Sequence, residues 1–158
     1  MTVQLTSNRV WEEIEKNSFG VLGMVTTKGE SRTVGIVYVV SDHKLYIGAE
    51  KSQWKTKHVE HNPHVSFTIP IAKRAPFMPW IKIPAATITF SGTARVVDRD
   101  DLAPGVLERV YRHDQARGEW CAIEVTPEKD FITYGVDVSL LDMRFPEKSR
   151  ARAPVSVA

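Results

Sequence analysis

Residues 45–63 read LYIGAEKSQWKTKHVEHNP, and they decide how the chain on either side is read. The β-branched and aromatic content of 45–49 predicts a strand, and Gly48 followed by Ala49 strips side-chain bulk from its end. Another group can approach the backbone there. Ser52 is a good N-cap, residues 53–61 contain neither Pro nor Gly, and Asn62-Pro63 ends the helical run. The prediction is a strand, a tight corner and a helix of about two and a half turns.

A helix start exposes free N–H groups, and the macrodipole adds partial positive charge to them. Asp or Glu would suit this position. Instead Lys51 precedes the cap, Lys55 lies in the first turn and Lys57 follows closely. Such placement costs a few tenths of a kcal/mol per charge unless an anion sits among them. A phosphate converts the penalty into a site, with backbone N–H groups, the Ser52 hydroxyl and a lysine ammonium converging on it. The alternative leaves the lysines as solvated charges on flexible stems.

Composition bounds what this corner belongs to. Of 158 residues, 42% are hydrophobic and 25% charged, which fits one domain with a single core. We expect that domain over 1–146 and a basic, extended or mobile tail over 147–158, read from EKSRARAPVSVA. A net charge of +2 without a basic stripe interleaved with aromatics argues against nucleic acid. The lone Cys121 excludes an internal disulfide and suits a reducing compartment. No apolar run reaches signal-peptide or membrane-span length, so the expected place is cytoplasmic, with no membrane partner.

Before the corner, residues 6–16 predict an amphipathic helix with Val10, Trp11 and Ile14 on one face, packed on the barrel as a lid or plug. Residues 19–27 and 31–40 predict two strands joined at Lys28-Gly29, and Ser41-Asp42-His43 turns into the strand of 44–49. After the corner, 64–69 predicts a half-buried strand. Residues 70–86 carry four prolines and no period, the mark of a long ordered arm. Its Phe77, Met78, Trp80 and Ile81 are too apolar for free solvation and call for a core, a ligand or a second subunit to cover. Residues 87–97 predict a long strand with a bulge or bend at Gly92. Residues 99–112 are mostly helical with a stripe of Leu107, Val110 and Tyr111, and 119–126 and 129–134 supply the last strands.

About six short strands with hairpin turns and two or three helices give a mainly β class, an antiparallel barrel with Greek-key character. A Rossmann-type dinucleotide site is excluded, and neither GxGxxG nor a P-loop occurs.

The succession GVLGMVTTKGESRTVGIVYVV, KLYIGAEKSQWKTKHVEHNPHVSFTI and TITFSGTARVV resembles the pyridoxamine 5'-phosphate oxidase-like flavin-binding split barrel, over roughly residues 19–97. Most specific is Lys55, eight residues before the proline of Asn62-Pro63-His64-Val65, after a strand ending in small residues. The resemblance implies a homodimer of six-stranded antiparallel Greek-key split barrels with FMN in the groove between subunits. It places the flavin phosphate at Lys51, Ser52, Gln53, Trp54 and Lys55. The ring lies along Val34, Gly35, Ile36 and Val37 and near Gly48 and Ala49, with Thr87 on the flavin side.

Two departures bear on the substrate. Members that oxidise pyridoxamine phosphate have arginines where this chain has Val34 and Trp54, and a Trp- and Arg-containing terminal segment that SLLDMRFPEKSRARAPVSVA lacks. The substrate is therefore left open as a small molecule. A flavin reaction asks little of side chains beyond binding, a shaped wall and electrostatics, which agrees with the absence of a Ser-His-Asp or paired-carboxylate pattern. No catalytic residue is named. Arg144, Lys148, Arg150 and Arg152 either close over an anionic substrate or form a solvated basic tail.

Three further features have plainer readings beside the sharper ones. His58, His61 and His64 have HxxHxxH spacing, but Pro63 separates the third from the helix and no Cys or carboxylate pair joins them, so no metal is expected. Cys121 reads as a small core residue rather than a nucleophile. Trp54 is either a stacking platform or the core-facing anchor of its helix. Three functions follow: an FMN-dependent oxidoreductase, the same barrel with a deazaflavin whose long anionic tail would use Lys51 and Lys57, or a protein that stores or senses flavin or haem.

Overall fold

The computed structural model describes residues 4–75, 77, 80, 83–111 and 119–156. Helix α1 (Ser7–Lys16) starts where Thr6 accepts a hydrogen bond from the Arg9 amide, and its Val10, Trp11 and Ile14 are buried. Side chains three and four apart share a face, and here that face enters the mouth of a β-barrel. The Trp11 ring meets Phe131 edge-on at 5.2 Å, and the Tyr38 hydroxyl donates to the Ile14 carbonyl at 2.8 Å. The predicted plug is present.

Strands β1 (Phe19–Val25) and β2 (Ser31–Val37) form the expected hairpin, with Gly29 at φ +81° in its turn. The run predicted over 31–40 breaks at Tyr38. Its amide bonds to the Ser18 carbonyl and its ring turns into the core, so β3 (Val39–Ser41) leaves β2 and pairs instead with β4 (Lys44–Glu50). Helix α2 (Trp54–His61) and β5 (His64–Ile71) follow, then β6 (Ala86–Asp98), a 3₁₀ turn at Arg99–Asp101, α3 (Pro104–Val110) and β7 (Trp120–Tyr134). A second 3₁₀ turn (Asp142–Arg144), α4 (Pro146–Ser149) and β8 (Arg150–Pro154) complete the described chain.

The sheet is antiparallel with strand order β2-β1-β5-β6-β7-β4-β3, and β8 adds to β7. Among the described residues it has eight strands rather than the six expected. The two ends of this path, β2 and β3, are consecutive in sequence. The barrel is therefore closed by the covalent chain at Tyr38 and left open between the edge of β2 and the part of β4, residues 47–50, that short β3 does not cover. That seam is the split. Inward residues of every strand, among them Leu22, Leu45, Ile47, Phe67, Ile88, Ile123 and Phe131, form the core with the α1 face.

Other expectations change in detail. The two last strands are one long strand, bent where the register to β6 shifts between Thr89 and Ser91 and where Lys129 takes φ +64°. The bulge thus lies beside Gly92 rather than at it. A Cβ on Gly92 would collide with the Thr126 carbonyl oxygen, so this glycine is needed for close backbone approach. The helix expected over 99–112 is split by Leu102, which turns into a second apolar cluster with Tyr46, Val106 and Ala122, and Arg112 lies outside the described residues.

The segment set apart as a tail over 147–158 is tied down where it is described, up to residue 156, and 157–158 lie outside the described residues. Residues 150–154 pair with β7, burying Ala151 and Ala153 while Arg150 and Arg152 face out. In the arm, Phe77 and Trp80 are 90% and 76% exposed. Met78 and Ile81 lie outside the described residues. Among the described residues no helix is long and apolar enough to cross a membrane.

Candidate functional site

The seam holds a cleft of about 360 Å³. One wall is the edge of β2 from Gly35 onward with Tyr38 and Val39, and another is Tyr46, Ile47 and Gly48 of β4. An edge strand pairs on one side only, so the free backbone N–H and C=O groups of β2 point toward the seam. Lys55 reaches the cleft from α2, Arg109 and Val110 from the end of α3, and Trp120 from the start of β7.

Of the residues expected to hold the cofactor, Gly35, Ile36, Val37, Gly48 and Lys55 therefore line one cavity. The others lie elsewhere. Val34 packs on the barrel core and Ala49 is buried in it. Thr87 pairs with Tyr134 at the far end of β7, whereas Gly48 pairs with Ala122 near its beginning. Within one chain Thr87 does not reach the cleft.

The phosphate corner is also rearranged. The cap of α2 is Gln53, without a side-chain cap bond, while Ser52 donates to Glu50 at 3.4 Å instead of capping. Lys51 forms an ion pair with Asp98 at 2.7 Å. Lys57 is exposed. Trp54 is neither core anchor nor free platform: its half-exposed ring carries the Arg32 guanidinium at 4.5 Å, with His58 at 5.6 Å. Lys55 and Arg32 thus supply the positive charge at the helix start, with Lys51 neutralised. Burial pushes the Lys55 ammonium below the ordinary lysine value, since no carboxylate among the described residues compensates its lost hydration.

Three buried polar atoms have no partner among the described residues: Gln53 Oε1, His58 Nδ1 and Trp120 Nε1. Such groups are costly without a hydrogen bond. Gln53 and His58 belong to α2 or its cap, and Trp120 faces the cleft. The end of α3 closes the site from outside. Tyr111 meets Trp120 edge-on at 5.7 Å and donates to the Cys121 carbonyl at 2.6 Å, and burial pushes its phenol up to about 12. A Cβ on Gly48 would lie 3.1 Å from Val110 Cγ1. The group that approaches the bare backbone at Gly48 is a side chain of the same protein.

Sequence reading missed Arg32, Arg109, Tyr111 and Trp120. Arg32 carried a signal, a basic residue opening the strand that was expected to flank the ring. The other three reach the cleft through the β4–β7 pairing and the α3 return, which no local pattern announces.

Beside this site, β4, β6 and β7 hold a buried carboxylate. Glu124 accepts from Arg95 at 2.7 Å, Lys44 at 3.1 Å and the Tyr46 hydroxyl at 3.0 Å. Burial opposes its charge, but these donors outweigh it and hold its pKa below the ordinary carboxylate value. Cys121 is a buried core residue, and burial pushes its thiol up. Among the described residues no group of three His, Cys, Asp or Glu side chains could hold a metal ion.

No family model matches the sequence, and among curated proteins none matches it either. Solved structures do match its shape. A haem-binding protein from Mycobacterium smegmatis superposes with a TM-score of 0.69 at 13% identity, covering 98% of this chain and 60% of that one. A candidate pyridoxamine 5'-phosphate oxidase from Listeria innocua gives 0.61 at 18% identity, covering 78% and 94%. An FAD-binding protein from Mesorhizobium loti gives 0.60 at 16% identity, covering 79% and 91%. With the open seam and the strand order, these likenesses establish that the chain has the pyridoxamine 5'-phosphate oxidase-like split-barrel fold.

Proposed function

We propose that this protein binds a flavin, FMN, in the cleft between β2 and β4 and acts as an oxidoreductase on a small molecule. The observation that carries the reading is Lys55: a half-buried ammonium without a carboxylate partner among the described residues, at the start of a helix, opening onto a cleft that is also lined by Trp120. An anionic ligand with a polar ring would compensate that ammonium and stack its ring against the cleft wall. Solved structures of this fold include an FAD-binding protein, which supports a flavin, and a haem-binding protein, which supports the rival below.

Bound there, the flavin supplies hydride chemistry at its N5. The chain supplies the rest. Lys55, the α2 N–H groups and Arg32 would compensate the flavin's phosphate, and the unpaired backbone groups of β2 would be available to hydrogen-bond its polar atoms. Tyr111, held as a neutral phenol, and Val110 shape the outer wall and exclude water from it.

The working unit in this reading is a homodimer with the cofactor at the subunit interface. Its support is apolar surface that one chain leaves bare: Phe19, Val37 and Ile132 on the outer sheet face, with Phe77 and Trp80 in the arm. A second copy is also what would bring Thr87 to the flavin. The lone buried cysteine fits a cytoplasmic setting.

Purified protein, examined by absorption spectroscopy and by mass analysis of any released chromophore, tests the reading. FMN bound at one per chain is expected. A deazaflavin would keep the cleft and change the chemistry. A Soret band would favour haem, for which the partnerless His58 Nδ1 is the one local hint. Colourless protein without flavin affinity would overturn the proposal.

A further inference from the structure

Strand β2 brings a cation to α2. Arg32, Val34 and Ile36 alternate onto one side of β2, and burial fades along them: Ile36 is buried, Val34 half-buried and Arg32 exposed. The partner of Arg32 across the β1–β2 hairpin, Met24, is buried on that same side. The inner row of β2 therefore begins with a charge, at the point where the core gives out.

On α2, Trp54 and His58 are four residues apart and share a flank, while Thr56 and Val59 are buried. The Trp54 indole bridges the two elements. The Arg32 guanidinium stands 4.5 Å from its centroid, and the His58 ring lies 5.6 Å away, tilted by 60°. A guanidinium over an indole face is held by the ring quadrupole and by planar stacking. Among the described residues Arg32 has no carboxylate partner, so the indole is what orders it. Stacking engages the face of the guanidinium and leaves its N–H edge to donate. An arginine ordered beforehand loses less rotamer freedom on meeting an anion. The residue after Trp54 is Lys55, the half-buried ammonium that lines the cleft.

We propose that Trp54 is a positioning residue for the phosphate end of the ligand: its indole holds Arg32 as a second cation alongside Lys55, and the site thereby prefers a flavin phosphate to the bare flavin. The word flavin rests on the reading of the cleft given above; the role of the indole, to hold a cation for a phosphate monoester, does not.

Binding of FMN and riboflavin to the full chain, read by flavin fluorescence, and of phenyl phosphate and phenol, read by calorimetry, tests this in Arg32→Gln, Trp54→Leu, Trp54→Phe and the double variant Arg32→Gln/Trp54→Leu. Arg32→Gln should weaken FMN about tenfold, the yield of one charge-assisted contact, and spare riboflavin. Trp54→Leu should weaken FMN about threefold, the worth of an exposed cation–π contact, again sparing riboflavin. Trp54→Phe keeps an aromatic face and should stay within about twofold of the native chain. The double variant should match Arg32→Gln alone, because the indole acts only through the arginine. A structural role of Trp54 would not separate FMN from riboflavin. Equal losses of FMN and riboflavin in Trp54→Leu, no loss at all, or losses that add in the double variant would overturn the positioning role and leave the flavin. A chain that binds neither flavin, but prefers phenyl phosphate to phenol with the same order of variants, would remove the flavin and leave the positioning role. Failure to bind FMN and phenyl phosphate alike would remove both.

Discussion

The barrel mouth filled by α1 and the seam between β2 and β4 share Tyr38 and differ in how completely their polar groups are satisfied. At the mouth, the Trp11 indole donates to the Val155 carbonyl, Tyr38 donates to Ile14, and Arg9 locks Asp137 and Glu13. At the seam, among the described residues, an indole N–H and an amide oxygen have no partner, a lysine is desolvated without a counter-ion, and an edge strand is left unpaired. The first region is finished by its own sequence. The second leaves polar groups unanswered among the described residues, which is what the proposed binding of a ligand there would answer.

The strongest way to break that division is to unplug the mouth. Trp11→Ala removes a fully packed ring and its hydrogen bond, and should cost about 3–5 kcal/mol in denaturant unfolding. Ligand affinity of the protein that remains folded should hold. An affinity collapse in parallel would show that the two regions are one.

Glu124 sharpens the comparison, because it is a buried charge outside the seam that is fully partnered. Glu124→Gln removes the charge that Arg95 and Lys44 pair with and leaves one amide oxygen as acceptor, and should cost about 1–3 kcal/mol, the more exposed partners moderating the loss. Its folded pKa lies below the ordinary value, so its contribution is complete above the ordinary carboxylate range and is lost as pH falls through the depressed value. The variant should therefore show a shallower decline of stability on acidification. An unchanged acid slope would mean that the cluster contributes nothing.

At the seam the effect should appear in binding rather than stability. Lys55→Ala is expected to weaken FMN by roughly 10- to 100-fold, the worth of one charge-assisted contact of about 1.5–3 kcal/mol. Lys28→Ala, in the first hairpin turn, should leave it within about twofold. Because burial lowers the Lys55 pKa, FMN should also loosen on the alkaline side as the amine loses its proton, a limb absent in the alanine variant. Equal flavin affinity in the two variants would remove the phosphate role.

Much of this was legible in the chain, and what was not has a common cause. The corner at 45–63, the α1 face and the β1–β2 hairpin follow from local periods and turn residues. The break at Tyr38 did not show, since VGIVYVV is an unbroken apolar run with no turn residue at Tyr38, and only the Ser18 and Ile14 carbonyls turn the tyrosine inward. The tail was legible but read by composition: Arg-Ala-Arg-Ala alternates with the period of a half-buried strand. Counting lysines at the helix start could not reveal that Asp98 neutralises Lys51, or that β7 delivers Trp120 beside Glu50. Charge sign is local information and pairing is not.

Gly48 gives the smallest effect and the sharpest test, because two accounts of it compete. If its missing side chain serves only a cofactor, Gly48→Ala should lower FMN affinity and leave the apoprotein untouched. The contact with Val110 predicts otherwise. A methyl group at 3.1 Å from Val110 Cγ1 forces the last turn of α3 outward by a few tenths of an ångström, which should cost up to about 1 kcal/mol without any ligand. Val110→Ala alone loses some packing in the Tyr46, Leu102 and Val106 cluster. Combined, the two substitutions should cost less than their sum by roughly 0.5 kcal/mol or more, since the shortened side chain makes room for the new methyl. Strict additivity in unfolding free energy would detach α3 from the cleft wall and return Gly48 to the cofactor alone.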